Sequence, residues 1–398
     1  MRKLSLADWL VIAIAFLVLA VSFSARSLLS LAMPAIEGEF GWSRSLISSA
    51  MAIALVVMAV IAPVAGNLVD RFGARRILAF GLLLVGAGMV LTSAMHQLWQ
   101  FLLAYGLLAG FGFGMAANHV VATLIGRRFE ANRGLAVGSA TSGSTAGQLV
   151  LVPLLGVVMA GGEWRSSYLV LGLACLALIP VIWMFIRGEP VRSASAAHGE
   201  PILERLGVVF RNGTFWLLLG GFFICGVTTT GVIETHLLPY ATWCGYPPLE
   251  GASAYGLLSA FNLLGMVAAG WLSDRMNRPL LLGLLYVLRG LSFVLLMFIV
   301  NDATMLVVFA ILFGIFDYST FVVTANLVAS HVGLRVMGLA MGLLSASHSL
   351  GGALGAFGGG VLFDWFAQYQ WVWFVSIGLA LIAGALSFAI REQRAAAH

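Results

Sequence analysis

Twelve runs of about twenty or more apolar residues divide this chain, and each is long enough to cross the ~30 Å hydrocarbon core of a bilayer as a helix. Only 9% of the 398 residues are charged and 61% are hydrophobic. A soluble protein of this length is excluded because its surface would lack charge. The sequence therefore predicts an all-helical membrane protein. The predicted spans are 8–33, 45–70, 77–96, 98–126, 132–160, 165–187, 213–240, 252–273, 280–300, 303–330, 334–363 and 369–390.

A short motif recurs at one fixed offset. The segment 66–76 reads Gly-Asn-Leu-Val-Asp-Arg-Phe-Gly-Ala-Arg-Arg, and 270–275 repeats its Gly, Leu, Asp and Arg 204 residues later. The segment 134–138 returns at the same offset as 338–342. One constant offset at two separate places predicts a duplicated unit. The predicted divisions are an N-terminal six-helix bundle at 1–190, a polar cytoplasmic linker at 191–212 and a C-terminal six-helix bundle at 213–398.

Basic residues are distributed unevenly between the two sides of the predicted membrane. Of the 21 Lys and Arg residues, Arg26 and Arg289 fall inside spans, and only Arg44 and Arg165 fall on the side opposite the N-terminus. Because cytoplasmic loops carry the excess of Lys and Arg, both termini are predicted to be cytoplasmic. The net charge of +5 reflects this topology and contact with membrane lipids. The sequence contains no basic cluster interleaved with aromatic residues, so it gives no indication of a nucleic-acid partner.

The segment 66–76 lies between the second and third predicted spans and resembles the signature loop of the major facilitator superfamily. The weaker copy at 270–275, in the matching place of the second half, is also typical of that superfamily. The resemblance implies twelve transmembrane helices in two pseudo-symmetric six-helix bundles that transport small molecules by alternating access. It also implies a conformational latch on the cytoplasmic side, made by charge pairing and helix-end contacts of Gly66, Asp70, Arg71, Gly73, Arg75, Asp274 and Arg275.

A shorter resemblance points to the monocarboxylate-porter branch of the superfamily. Gly-Trp-Ser-Arg at 41–44 is typical of that branch, and Ser43 or Ser45 is expected to cap the second helix. Monocarboxylate porters carry a basic residue in the first helix at about the depth of Arg26. They also have a cavity-lining Asn in the fourth helix, where this chain has Asn118.

The chain departs from that branch in the eighth span. Monocarboxylate porters usually carry an Asp there and, four residues later, an Arg that binds substrate, whereas this chain has Asn262 and Met266. Either anion binding has moved to Arg26 and Arg289, or the substrate is not a simple carboxylate.

Four ionisable side chains lie deep inside predicted spans: Arg26, Glu234, Arg289 and Asp317. Each is a functional candidate because an unpaired charge in lipid is unfavourable. Arg26 either extends to the outer interface or faces the cavity, where a guanidinium suits bidentate binding of a carboxylate.

For the other three of these side chains, Glu234, Arg289 and Asp317, the sequence is compatible with either a structural or a functional role. Arg289 and Asp317 have matching depths in consecutive spans, which predicts either a structural ion pair or a proton site at Asp317 controlled by Arg289. Glu234 is either a proton-coupling carboxylate or an outer-gate partner of Arg26, because the first and seventh helices are pseudo-symmetric mates.

Polar residues within the spans complete the predicted substrate site. They are Asn118, His119, Gln148, Asn262, Tyr318 and His348. For His119, a hydrogen bond between helices is an equal alternative. Cys175, Cys225 and Cys244 show no metal-ligand spacing and are predicted to be small apolar fillers, so no metal or cofactor is expected. No nucleophile elbow, P-loop or dinucleotide fingerprint is present, which argues against an enzyme and against ATP-driven transport.

The sequence thus predicts a monomeric secondary-active transporter of a bacterial inner membrane. Its predicted substrate is a small organic anion, a monocarboxylate, moved together with a proton. Arg26 would bind the anion, and Glu234 or Asp317 would carry the proton. A proton-driven exporter of amphipathic compounds is an alternative, since 11 Trp and 26 Phe could line an apolar cavity. A membrane sensor without flux is another, although the lack of an appended cytoplasmic domain argues against it.

Overall fold

A computed structural model provides the structure of this chain. It describes residues 5–42, 44–129, 132–159, 164–186, 201–246, 248–299 and 302–392. The regular elements in these residues are all helices. Ten helical segments of the described chain are long and apolar enough to cross a membrane. Helices also occupy the predicted fifth and eleventh spans, so each of the twelve predictions corresponds to a helical span.

We number the spans 1 to 12 in chain order. Spans 1 to 6 are Leu6–Phe40, Arg44–Phe72, Ala74–Ser93, Leu98–Arg128, Arg133–Thr141 with Gly143–Met159, and Trp164–Phe185. Spans 7 to 12 are Gly213–Gly226 with Val227–Ile233 and Glu234–Trp243, Pro248–Ser273, Arg278–Leu296, Ala303–Phe316 with Ser319–Leu327, Met337–Phe366, and Gln370–Phe388. Because an even number of spans separates them, the described ends Ser5 and Glu392 lie on one side of the bundle, which we call the terminal side.

Span 1 is longer than its prediction and is defined by two caps. Ser5 and Asp8 form a capping box, in which each side chain accepts a hydrogen bond from the other residue's backbone N–H. The helix ends at Gly41, whose φ of 66° lies in the left-handed region that favours glycine. Ser43, one of the two residues expected to cap span 2, lies outside the described residues, and the Ser45 side chain is not described.

Four spans of the described chain are interrupted, among them span 5, which breaks at Ser142 between its two helices. Span 4 contains a π-helical segment at Leu102–Ala109 and a break at Ala116–Ala117, and span 7 contains a second π-helical segment at Val227–Ile233. Span 10 breaks between Phe316 and Ser319. Interrupted membrane helices expose backbone groups that a continuous helix would use, and such places often line binding cavities.

The two halves pack together through helices that the sequence repeat relates. A Cβ atom on Gly66 would overlap the carbonyl oxygen of Gly338, and one on Gly270 would overlap that of Gly134. These pairs join span 2 to span 11 and span 8 to span 5. Both pairs bring two backbones into direct contact, which is possible only where there is no side chain. Glycine is therefore required at these positions. The halves are therefore closed against each other on the terminal side.

A short helix, Ile202–Phe210, precedes span 7, as the segment 203–206 predicted. Its exposed face carries Leu203, while Arg205 points inward and is fully buried. The rest of the predicted linker before this helix, residues 191–200, lies outside the described residues. Through Arg205, this helix places a charged side chain in the interior of the bundle.

Candidate functional site

A small, partly polar cavity lies between the two halves. Its lining residues come from spans 5, 7, 8 and 10: Thr145, Gln148, Ile233, Glu234, Tyr255, Leu258, Ser259, Asn262, Asp317 and Tyr318. The first half contributes two of these residues and the second half the remainder. A ligand in this cavity would contact both halves at once.

The break in span 10 places two predicted residues in the cavity wall. Asp317 ends the helix Ala303–Phe316, and the following Tyr318 donates its backbone N–H to Asn262 Oδ1 at 3.0 Å. Asn262 thereby satisfies a backbone group that the break leaves free. Gln148 lines the opposite wall and donates from Nε2 to Ser27 Oγ at 2.9 Å.

Arg26 lies next to this cavity in the first half. It is half-buried, its guanidinium lies 4.6 Å from the ring centroid of Phe23, and Tyr105 OH donates to its backbone carbonyl at 2.7 Å. No carboxylate among the described residues forms an ion pair with it. The next residue, Ser27, accepts a hydrogen bond from Gln148 of the cavity wall, which places Arg26 beside the cavity.

Glu234 lies on the second-half wall of the cavity. It is exposed, and its Oε1 accepts a hydrogen bond from Tyr318 OH at 3.2 Å. The suggested gate contact with Arg26 is not formed in this conformation, in which neither residue has an ion-pair partner among the described residues. His236 faces elsewhere, since its Nε2 lies 3.0 Å from the carbonyl oxygen of Ala356 in span 11.

Arg289 and Asp317 are in contact inside the second half. Arg289 NH1 lies 3.4 Å from Asp317 Oδ1, and both side chains are buried. Thr229 OH donates to the same Asp317 oxygen at 2.6 Å, and Arg289 donates to Thr228 Oγ1 at 2.9 Å. The guanidinium is thus held by span 7 hydroxyls while the carboxylate reaches the cavity wall.

Cys225 belongs to this polar cluster, although the sequence predicted an apolar filler. Its Sγ lies 3.1 Å from Arg289 NH1 and 3.5 Å from Thr320 Oγ1. The filler prediction was wrong for this residue because the folded chain places the thiol beside a buried guanidinium. His348 packs against Phe222, with 4.9 Å between ring centroids, and does not belong to the cavity lining in the described chain.

Asn118 and His119 begin the second part of span 4, just after its break. Both are buried, and neither Asn118 Oδ1 nor His119 Nε2 has a hydrogen-bond partner among the described residues. Ser22 of span 1 donates to the freed carbonyl of Ala116 at 3.2 Å. Neither Asn118 nor His119 belongs to the cavity lining described above.

Met266, at the position of the substrate-binding arginine of monocarboxylate porters, is not part of the cavity lining in this structure. It is fully buried, its Sδ lies 3.9 Å from Thr145 Oγ1, and its carbonyl oxygen lies against Gly138 of span 5. The position that monocarboxylate porters use for an arginine therefore packs the two halves together here.

On the terminal side, Asp70 joins four partners. Its carboxylate pairs with Arg127 of span 4 and with Arg205 of the short helix, and all three side chains are almost completely buried. It also accepts from the backbone N–H groups of Gly338 and Leu339, each at 2.9 Å. These groups are in the first turn of span 11, where the helix dipole favours a negative charge.

Asp274 makes the equivalent helix-end contact in the second half. It accepts from the N–H of Gly134 at 2.8 Å and of Leu135 at 2.9 Å, in the first turn of span 5. Each of these contacts is the copy of the Asp70 contact at the offset of 204 residues. Asp274 differs from Asp70 in being exposed.

Two arginines of the motif, Arg75 and Arg275, each stack on a tryptophan ring. Arg75 stays within the first half, where it donates to the Trp183 carbonyl at 3.0 Å and stacks on its ring. Arg275 stacks on Trp271, with 4.0 Å from its guanidinium carbon to the ring centroid. Gly73 adopts a φ of 82° between spans 2 and 3, which glycine adopts without strain. Asp70 forms ion pairs with Arg127 and Arg205, neither of which the motif contains.

Sequence reasoning missed some residues that a helical repeat could have indicated. Tyr255, Ser259 and Asn262 follow the spacing of one helix face, and Thr145 precedes Gln148 by three residues on span 5. No sequence pattern indicated that Arg205 would pair with Asp70, because burial of the short helix depends on contacts distant in sequence. Burial lowers the pKa of Arg205, and the Asp70 carboxylate opposes that shift.

Within the described residues, no group of three or more His, Cys, Asp or Glu side chains is arranged to hold a metal.

Comparisons with known proteins agree with this architecture. The family model described as Major Facilitator Superfamily matches residues 15–288 and 263–398. The uncharacterized MFS-type transporter YcxA of Bacillus subtilis (strain 168) is 26% identical over 100% of this chain and 99% of its own length. Human monocarboxylate transporter 11 is 31% identical over 71% of this chain, and the match spans 60% of the human protein.

Two solved structures share the fold. The proton:xylose symporter XylE superposes with a TM-score of 0.74 at 16% identity, over 95% of this chain and 94% of that structure. The human organic anion transporter MFSD10 superposes with a TM-score of 0.78 at 16% identity, over 96% of this chain and 99% of that structure. Because the family model covers most of the sequence and the twelve-span architecture is the same, this chain belongs to the major facilitator superfamily and is a multi-pass membrane transporter, not an enzyme.

Proposed function

We propose that this transporter moves a small organic anion, a monocarboxylate, together with a proton by alternating access. The observation that carries the proposal is Arg26, a half-buried cation beside the central cavity that has no carboxylate partner among the described residues. A charge at this depth is unfavourable unless water or a ligand compensates it. A carboxylate ligand would do so with two parallel hydrogen bonds. The similarity to human monocarboxylate transporter 11 supports the same substrate class.

The remaining roles follow from the cavity wall. Gln148 and Asn262 would orient the bound anion from opposite halves. Asp317 is the proposed proton carrier, because its carboxylate reaches the cavity while Arg289 and Thr229 hold it from behind. A proton on Asp317 would alter its attraction to Arg289, and this links protonation to the packing of spans 9 and 10.

We place the transporter in a bacterial inner membrane, as a monomer with both termini in the cytoplasm. The full-length similarity to a Bacillus subtilis protein supports the bacterial membrane. The excess of basic residues on the terminal side supports the orientation. The latch formed by Asp70 and Asp274 would then close the cytoplasmic side.

Substitution of Arg26 tests the substrate class. Arg26→Gln should abolish the binding of monocarboxylates, and Arg26→Lys should weaken it without abolishing it, because lysine keeps the charge but lacks the planar fork. The measurements are ligand-induced thermal stabilisation and counterflow in proteoliposomes with a panel of monocarboxylates. Arg211→Gln, an exposed site outside the spans, is the matched control. Normal binding of the same anion by Arg26→Gln would place the anion site elsewhere, and wild type that binds amphipathic compounds but no carboxylate would favour the exporter.

A further inference from the structure

Two opposite charges, one in the cavity wall and one beside it, lie in different halves without pairing. Glu234 is exposed on the second-half wall and accepts a hydrogen bond from the hydroxyl of Tyr318 at 3.2 Å. Arg26, in the first half, lies over Phe23. Among the described residues, no cation pairs with Glu234 and no carboxylate pairs with Arg26.

One cavity connects the surroundings of both charges. Glu234 lines it, and Ser27, the residue after Arg26, accepts a hydrogen bond from the cavity-lining Gln148 at 2.9 Å. The two charges therefore lie at one small polar space, in different halves, and do not form an ion pair within the described residues. A ligand that fills this space meets a cation at one end and an anion at the other.

A simple carboxylate satisfies only one of these two charges. When it binds Arg26, it brings a second negative charge toward Glu234, and like charges in a cavity of low polarity repel. A proton could relieve this repulsion, but the cavity holds a second carboxylate, Asp317, which already sits beside Arg289 and Thr229. A ligand with its own cationic group removes the repulsion and satisfies Glu234 directly.

We propose that the substrate is a small zwitterionic monocarboxylate, with its carboxylate on Arg26 and its ammonium group between Glu234 and the Tyr318 hydroxyl. This inference rests on the proposed function, since it needs Arg26 as the anion site. It assigns Glu234 to substrate recognition and leaves Asp317 as the proton carrier. Because Arg26 and Glu234 belong to different halves, the ligand would bridge them, and binding energy would favour closure of the halves around it.

Three probes with the same carbon chain test the charge requirement: 4-aminobutanoate, butanoate and butylamine. Wild type should bind the zwitterion at least tenfold more tightly than either singly charged probe. A series from glycine to 6-aminohexanoate gives the preferred distance between the charges, and the best member is then compared with its own deaminated analogue. Binding is measured by thermal stabilisation and by competition in counterflow.

Glu234→Gln tests the residue assignment. It should reduce zwitterion binding at least tenfold and leave butanoate binding unchanged or improved, because the repulsion is removed. Glu234→Asp, which keeps the charge, should retain part of the zwitterion preference. Glu204→Gln, on the exposed face of the short helix, is the matched control. The unfolding temperature of each variant without ligand separates loss of binding from loss of folding.

The outcomes distinguish this inference from the proposed function. If butanoate binds wild type as well as every zwitterion does, and Glu234→Gln changes no ratio, the zwitterion inference is wrong while the monocarboxylate function stands. If no probe with a carboxylate binds and Arg26→Gln changes nothing, the proposed function is wrong. Tight binding of butylamine alone would contradict both.

Discussion

Arg26 and Arg289 lie deep inside spans of this transporter, and their surroundings differ completely. Arg289 is fully buried and contacts hydroxyls, a thiol and the Asp317 carboxylate. Arg26 is half-buried beside a cavity and has no ion-pair partner among the described residues. A buried charge that is already compensated stabilises one arrangement of helices, whereas an uncompensated one is available to a ligand. This contrast is why we assign the two residues different roles.

Removing one partner of the buried pair should destabilise the protein strongly. Arg289→Ala or Asp317→Ala leaves an uncompensated charge, and we expect a loss of about 3–5 kcal/mol in the free energy of unfolding. Thermal unfolding in detergent measures this loss. Asp302→Asn is the control in the same span, because Asp302 is exposed and an Asn can still cap the helix at Thr304.

The double neutral variant separates structure from transport. Arg289→Met combined with Asp317→Leu should recover stability, since no charge is then left buried. If Asp317 carries the proton, this variant should still exchange substrate in counterflow but should fail to accumulate it against a gradient. Single variants as stable as wild type would show that the pair contributes nothing to the fold.

At the scale of elements, the two latches are copies with unequal strength. Both attach a carboxylate to the first turn of a helix in the other half, at Gly338 and Leu339 or at Gly134 and Leu135. Asp70 is also held by two buried arginines, one of which comes from the helix Ile202–Phe210. The closed terminal side thus depends on the linker as well as on the spans.

Asp70→Asn should therefore impair transport more than Asp274→Asn does. Asp70→Asn leaves Arg127 and Arg205 buried without a carboxylate, at a cost of roughly 3–5 kcal/mol to the closed state. Asp274→Asn removes charge-assisted hydrogen bonds at an exposed site, which contribute about 1.5–3 kcal/mol. Transport and binding of the same ligand are measured for both variants, and binding should stay near that of wild type. Equal effects of the two substitutions would contradict the role of the buried arginines.

At the scale of the whole molecule, close backbone contacts decide which side is closed. Gly66 against Gly338 and Gly270 against Gly134 leave no space for a side chain. Because these contacts lie on the terminal side, the central cavity is separated from that side in this conformation. A transporter must break both contacts when the cavity opens the other way.

Gly66→Ala should shift the molecule away from this closed conformation. The added methyl group meets the backbone of span 11, which cannot move without separating the halves. Spin labels at the exposed residues Phe72 and Met276, in a variant without Cys244, would report a longer distance between the halves, and transport should fall. Gly256→Ala is the control, because its Cβ would meet open space. Identical distances in both variants would contradict the proposed closure.

The sequence alone determined the membrane class, the twelve spans, the duplication and the superfamily. These follow from local hydrophobicity and from a repeat with one offset, and neither requires knowledge of contacts distant in sequence. The sequence also predicted Gln148, Asn262 and Tyr318 as part of the substrate site, and all three line the cavity. His348, by contrast, packs against Phe222 away from it.

Only the tertiary structure decided which charges meet. Asp70 pairs with Arg127 and Arg205, which are 57 and 135 residues away, because the helix Ile202–Phe210 buries its inner face against the bundle. The breaks at Ala116–Ala117 and at Asp317 arise in apolar segments that resemble continuous helices in sequence. Hydrophobic patterning fixes which residues enter the membrane, but it carries no information about the partner each buried polar group will find, since that depends on how helices from both halves pack.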